Sequence, residues 1–316
     1  MVYDTGKTSF FKLKKEASWG TAIVPDADVG LLEATGSFTE SQGVEQNYGT
    51  GSRKNNQLTY GKYGVNGSLT GKLCNGRLLA YALGSDTPSG TGPTTHTLGV
   101  LDGELESFTL GQYHKTSDKG DEIVGCKIND FNLSLDTGGI LEGTFNYIAK
   151  GITKKGSTVG TRTAPTETIL PSYTGTVSWN SGAVECKTFN FNYANNLGDD
   201  EYSIGDRRRK AITEGEIGID GSFVLVFENH DVYADFQTTW STGKEVGTAR
   251  ALSLVASTGA TTGLYELSLG MTDVALNERT KGVELDNSRV VSEFNFTAKS
   301  MGTVTYKDQF VTTYIA

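Results

Sequence analysis

Residues 48–69 read YGTGSRKNNQLTYGKYGVNGSL, and residues 202–223 read YSIGDRRRKAITEGEIGIDGSF. The two stretches align without a gap at an offset of 154 residues (48 against 202). Tyr48, Gly51, Arg53, Thr59, Gly61, Gly64, Gly67 and Ser68 meet identical residues in the second stretch. Leu58/Ile212, Val65/Ile219, Asn66/Asp220 and Leu69/Phe223 are chemically close. With 40 glycines in 316 residues, isolated glycine matches come free. An ungapped run that also shares Arg, Thr and Tyr does not. Self-similarity is read before anything else because it decides the architecture.

Two further matches extend the pattern. Residues 107–111 (SFTLG) match 266–270 (ELSLG), and residues 130–133 (DFNL) match 293–296 (EFNF). The offset grows from 154 to 159 and then 163, as small loop insertions in the second copy would make it. The period is that of a whole domain, far above the roughly 20–50 residues of a solenoid repeat. The expected organisation is two tandem homologous domains, residues 1–160 and 161–316, with the boundary in the stretch 154–171. A chain of this length holds about two domains of 100–200 residues, each large enough to bury its own core.

Hydrophobic alternation gives the fold class. Val65, Leu69 and Leu73 share one face of a strand, with Gly67 and Gly71 in phase. Ile217, Ile219, Phe223, Leu225 and Phe227 repeat that phase in the second copy. A period of two is that of a half-buried strand. Residues 39–56 and 194–210 precede these strands and read as long polar loops, a length usually tied to function or disorder. Asn75 is placed to cap a short helix over 76–83 that Gly84 ends, and Asn229 to cap one over 230–236. Further strands are expected at 31–39, 105–111, 124–135, 140–149, 184–194, 264–271, 288–299 and 302–315. The fold class is therefore mainly β: two tandem β-sandwich or barrel domains, each with one short packed helix and a long loop.

Composition narrows the function. The formal net charge of −9 argues against binding nucleic acid by neutralising phosphates, and against anionic membranes. Cys74, Cys126 and Cys186 are odd in number with no C-x-x-C pair, which points away from a disulfide framework or zinc knuckle. Cys74 and Cys126 sit among strand-like residues and are expected to be small buried hydrophobes. The N-terminus shows no basic region followed by an apolar one, and no run approaches a membrane span, so a soluble protein made in a reducing cytoplasm is expected. His96, His114 and His230 lie far apart; no metal site is expected, and His96 and His114 read as solvated loop positions. No nucleophile elbow, phosphate loop or zincin motif is present. No catalytic residue, cofactor or enzyme activity is expected.

One charge cluster stands out. Arg207, Arg208, Arg209 and Lys210 follow Asp199, Asp200 and Glu201, where the first copy carries only Arg53 and Lys54. Three readings remain open: contact with nucleic acid, a solvated loop pairing with its own acidic neighbour, or a self-complementary surface that registers one subunit or ring on the next. The charge difference between the copies predicts non-equivalent contacts.

The stretch 12–25 (KLKKEASWGTAIVP) runs from a strand into Glu16, then Trp19-Gly20-Thr21 and Pro25. With the loop at 51–53, the strand over 64–73 and the helix at Leu78-Leu79 ending at Gly84, the chain resembles the tail tube proteins of tailed bacterial and archaeal viruses. The resemblance implies stacked rings whose inner strands join into a β-barrel around a DNA channel. It implies trimers with pseudo-sixfold symmetry for a chain with two tube domains. It also implies self-association, tape-measure, tail-terminator and tail-tip partners, and a place in the virion tail after synthesis in the host cytoplasm, with no membrane contact. Arg53, Lys54, Asp199, Asp200, Glu201, Arg207, Arg208, Arg209 and Lys210 are the expected inter-ring or inter-subunit contacts. Rival readings are another virion component, such as a capsid decoration or tail-adaptor protein, and a cell-surface carbohydrate-binding β-protein.

Overall fold

The period-two faces read from the sequence are the faces on which the core is built. The computed structural model describes residues 5–51, 53–155, 168–226, 230–241, 250–259, 264–282 and 290–315. The expected domain boundary at 160/161, the cap at Asn229 and the apolar Phe227 lie outside the described residues.

The N-terminal half runs β1 (Ser9–Lys15), β2 (Leu31–Tyr48), β3 (Asn55–Leu73), helix α1 (Arg77–Leu83), β4 (Gly84–Ser89), β5 (Thr94–Val100), β6 (Phe108–His114), β7 (Lys119–Asp136), β8 (Glu142–Ala149) and β9 (Gly151–Lys155). The C-terminal half runs β10 (Thr176–Trp179), β11 (Gly182–Val184), β12 (Cys186–Ala194), β13 (Gly218–Val226), helix α2 (His230–Ser241), β14 (Leu252–Ser257), β15 (Glu266–Gly282) and β16 (Val291–Asp308). The fold is mainly β, and the paired strands are antiparallel. The separate strands expected at 288–299 and 302–315 are one strand, β16, which ends at Asp308.

Hydrogen-bonded neighbours follow the order β1-β6-β7-β8-β3-β2 in the first half. In the second half they follow β10-β14-β15-β16-β13-β12. Strand for strand the two orders correspond, and a helix follows both β3 and β13. This order corrects the two outer sequence matches. Residues 107–111 fall on β6 and 266–270 on β15, while Phe131 falls on β7 and Phe294 on β16; the counterparts of β6 and β7 are β14 and β15. The strands that do correspond, β8 and β16, read TFNYIAK at 144–150 and EFNFTAK at 293–299. Tyr147 faces Gly67, and Phe296 faces Gly221. A Cβ on Gly67 would lie 2.3 Å from the Tyr147 hydroxyl, and one on Gly221 2.7 Å from the Phe296 ring. Both glycines let an aromatic ring lie against the backbone, for the same reason in each half.

Val65, Leu69 and Leu73 are buried, as are Ile219, Phe223 and Leu225. Ile217 departs from the expected pattern at 41% exposed, because it precedes β13 and has no partner strand to face. Helix α1 starts one residue later than expected, with Gly76 at its N-cap; the Asn75 side-chain oxygen still accepts the Arg77 backbone N–H (3.0 Å), and Gly84 closes the helix at φ 104°. All seven of its residues are buried. Tyr306 and Tyr314 cover its N-terminus, with Gly76 leaving the room they need. Cys74 and Cys126 are buried, and Cys186 is half-buried.

His96 corrects an expectation. It lies on β5 with no exposure, its Nδ1 3.0 Å from Asp86 and its Nε2 2.8 Å from the Phe310 carbonyl. Asp308 approaches to 3.4 Å, and the ring stacks on Tyr314 at 3.9 Å. Burial opposes protonation, but the hydrogen bonds to Asp308 and Asp86 outweigh it and push the pKa up to about 9. The local sequence reads as a solvated loop because, Asp86 apart, the partners come from Asp308 at the end of β16 and from Phe310 and Tyr314 beyond it, more than two hundred residues away. His114 ends β6 and shares a 2.8 Å hydrogen bond with Ser9.

Candidate assembly surface

Strand β7 is long enough to serve two neighbourhoods. Its first part pairs with β6 and β9, and its last part with β8 and β12. The β7–β12 pairing makes the halves one continuous wall, β2-β3-β8-β7-β12-β13-β16-β15. At that seam Phe131 faces Tyr193, Leu133 faces Phe191 and Leu135 faces Phe189, all six buried. Phe131 stacks on Tyr193 with centroids 5.3 Å apart. The wall ends in two open edges. Among the described residues β2 pairs only with β3. Among the described residues β15 beyond Met271 likewise pairs only with β16, apart from one bond from Val274 N–H to the Arg250 carbonyl.

Neither expected loop is loose. Most of 39–56 is strand: β2 and β3 continue as an exposed two-stranded ribbon, paired out to Tyr48 and Asn55. Val44, Tyr48, Leu58 and Tyr60 are each about half-exposed or more along it. A two-stranded ribbon is marginal in water on its own, so these side chains make it a candidate contact surface. The second segment is irregular because β12 stops at Ala194. There the Asn195 side chain donates to the carbonyls of Ala82 and Ile128 (both 2.9 Å) and draws the chain off the sheet. The segment 195–217 then packs on its own chain. Leu197 and Ile212 form a small core with Leu105 and Ile148. Lys127, 1% exposed, pairs with Glu214 at 2.7 Å.

The charged residues divide by position. Arg209 is buried, and all five guanidinium donors are used within the chain. Nε bonds the Asp199 carbonyl, Nη1 those of Val65 and Ala149, and Nη2 the side chains of Asn66 and Asp199. Arg207 donates to the Gly61 carbonyl and Gln42 (both 2.9 Å) and lies over the Tyr60 ring. Asp200 pairs with Lys62, and the hydrogen bond to Asp200 raises the lysine pKa. Asp206 accepts from the Arg208 backbone N–H and from Lys210, which hold its pKa down at about 2. Glu201, Arg208 and Lys210 stay exposed, as do Arg53 and Lys54 at the ribbon tip. The acid and base blocks thus bind the first-half ribbon, and only in part each other. Among the described residues no cluster of three His, Cys, Asp or Glu side chains is placed to hold a metal ion.

The N-terminal motif is a clasp. Glu16 is 3% exposed, and its carboxylate accepts four hydrogen bonds, from Gly20 N–H, Gly125 N–H, Ser107 and Thr109, all within 2.9 Å. Trp19 donates to the Gly125 carbonyl and carries Lys150 over its ring. A buried carboxylate needs such a full set of donors. The profile of the phage tail tube protein family matches residues 6–305, a span that takes in the clasp, the wall and both helices. The chain belongs to that family. By sequence, no curated protein matches the chain.

A tail tube protein is a structural part of the virion tail and assembles with itself into a tube. Its family is structural and not a known enzyme family. Beside the charged loop, the open strand edges are candidate surfaces for that self-assembly. The signal was present in the sequence. Residues 57–60 alternate polar and apolar side chains, as an extended ribbon would, and TFNYIAK against EFNFTAK marks the corresponding wall strands.

Proposed function

We propose that three chains close into a ring with pseudo-sixfold symmetry, and that rings stack into the tail tube through which DNA passes into the host. In this reading each chain supplies two tandem homologous domains, residues 1–160 and 161–316. The observation that carries it is the wall of two four-strand units in one order, β7-β8-β3-β2 and β15-β16-β13-β12, joined end to end. A head-to-tail join leaves its two kinds of edge open at the ends. Repeated, it gives a ring where the rotation closes and a filament where it does not. Closure also removes the edges that make isolated sheets aggregate. The net charge of −9 supports an acidic lumen along which phosphates slide without adhering. The ribbon and the exposed charges Arg53, Lys54, Asp200, Glu201, Arg208 and Lys210 are proposed to contact the next ring. Arg209, whose donors are used within its own chain, is left out of that role. Tape-measure, tail-terminator and tail-tip proteins are the proposed partners.

Negative-stain electron microscopy of the purified protein tests the reading. Rings or tubes of three chains with six lobes are expected. Rings of six chains would overturn the pseudo-sixfold assignment, and closed shells without tubes would overturn the channel.

A further inference from the structure

The seam inside the chain is a template for the seam between chains. Strands β3 and β13 correspond at the offset of 154. Phe38 faces Gly67 and Glu40 faces Val65; Phe191 faces Gly221 and Tyr193 faces Ile219. On β2, therefore, Phe38 and Glu40 hold the places of Phe191 and Tyr193. At the other end of each unit the match is closer still. Both β7 and β15 slip by one residue, between Ile128 and Asp130 and between Leu276 and Glu278. Opposite each slip stands an asparagine that donates to the acid: Asn146 to Asp130 (2.5 Å) and Asn295 to Glu278 (3.1 Å). Phe131 faces Phe145, and Arg279 faces Phe294. Arg279 holds the place of Phe131.

Resting on the reading of a self-assembling tube, we propose that β15 of one copy pairs antiparallel with β2 of a second copy, with Arg279 opposite Glu40, Thr280 opposite Thr39 and Lys281 opposite Phe38. The register is the intrachain one, in which Phe131 faces Tyr193, Asn132 faces Asn192 and Leu133 faces Phe191. The chemistry changes where it must. The inner seam is covered from the moment the chain folds and carries an aromatic pair. The outer edges have no partner strand here among the described residues, and at the same place they carry a half-buried cation and an exposed anion. A charge on an edge strand discourages indiscriminate pairing, and its complement on the partner fixes the register. A slip by one residue would separate the two charges and turn each strand's side chains to the wrong face. Arg279 lies on the core side of β15, over the Tyr233 ring at 4.1 Å and near the Phe294 ring at 5.9 Å, and its Nη2 donates to the Ser292 hydroxyl at 3.2 Å. Glu40 is exposed and accepts a hydrogen bond from the Tyr63 hydroxyl at 2.5 Å.

The test is a charge swap in the full chain, read as the concentration at which rings or tubes appear. Arg279→Glu and Glu40→Arg each place like charges opposite one another. Each should raise that concentration about tenfold or more while the melting temperature of the dilute protein holds. The double variant Arg279→Glu/Glu40→Arg should recover assembly. Where a reversal impairs folding, Arg279→Gln and Glu40→Gln replace it: each weakens assembly, and the two together weaken it no more than either alone. Single variants that assemble like the parent, or a folded double variant that does not recover, overturn the register while the tube reading stands. Parent protein that forms neither rings nor tubes overturns both.

Discussion

Residues 48–63 and 202–217 align without a gap in sequence and differ in shape. The first stretch runs from the end of β2 into β3 as an extended ribbon, with β2 as a partner out to Tyr48. The second is an irregular segment between β12 and β13, held to the chain by Arg209 and by the Lys127–Glu214 pair. Where the partner strand continues, the pattern becomes strand; where Asn195 takes the chain away, the same pattern coils. Strand length here is a property of the pair and not of either segment alone. Past this point the correspondence returns, and Gly64–Leu73 and Gly218–Val226 carry their cores in one phase.

The comparison can be broken most severely at the aromatic positions the two halves share. Phe145→Ala and Phe294→Ala remove buried rings from corresponding strands. Each should cost about 3–5 kcal/mol, and the two costs should agree within about 1 kcal/mol if the halves are equivalent cores. Urea denaturation measures both. A large cost at one position and a small one at the other would mean that the strand order matches while the packing does not.

Arg209→Ala tests the difference between the two stretches. It strips five donors from one site and leaves the Val65 and Ala149 carbonyls unmet, a loss of about 3 kcal/mol by analogy with breaking a buried charged network. Hydrogen exchange should rise across 195–217 and stay slow in β7 and β12. Uniformly fast exchange would make the segment part of the global core.

A smaller effect concerns the contact where the halves meet at His96. Its pKa near 9 lies above the ordinary histidine value, so the stabilisation is full below about pH 6.5 and is lost as pH rises through 9. The loss is on the order of 2 kcal/mol. The parent's denaturation midpoint should fall between pH 6.5 and 9.5, and His96→Gln should flatten that fall. A parent midpoint with no slope in this window would remove the charged histidine from the account.

What was legible in the sequence was local. The alternation at Val65, Leu69 and Leu73, the Asn75 cap with its Gly84 stop, and the burial of Cys74 and Cys126 all follow from neighbours within a few residues. What was not legible depends on distant partners. His96 is surrounded in sequence by Gly, Ser, Thr and Pro, and the end of β16 with Phe310 and Tyr314 beyond it turns that surrounding into a core. Arg209 sits in a run of four cations, and only the carbonyls of Val65 and Ala149 single it out. The ribbon reads as loop in the sequence because its polar residues face water on both sides, which hides the partner strand. The outer repeat matches failed for a related reason: short strand motifs such as DFNL recur on neighbouring strands, and only pairing tells them apart.

The β7–β12 seam has a consequence for how a tube would begin. Bringing two free bodies together costs translational and rotational freedom at every contact. A tether removes that cost by fixing a high local concentration of one partner for the other. In a ring of three such chains, every second seam is formed as the chain folds and does not depend on how much protein the cell has made. Only the alternate seams wait on collision. The start of growth would then scale with a lower power of concentration than for six separate subunits, and a scarce supply of chains would still nucleate.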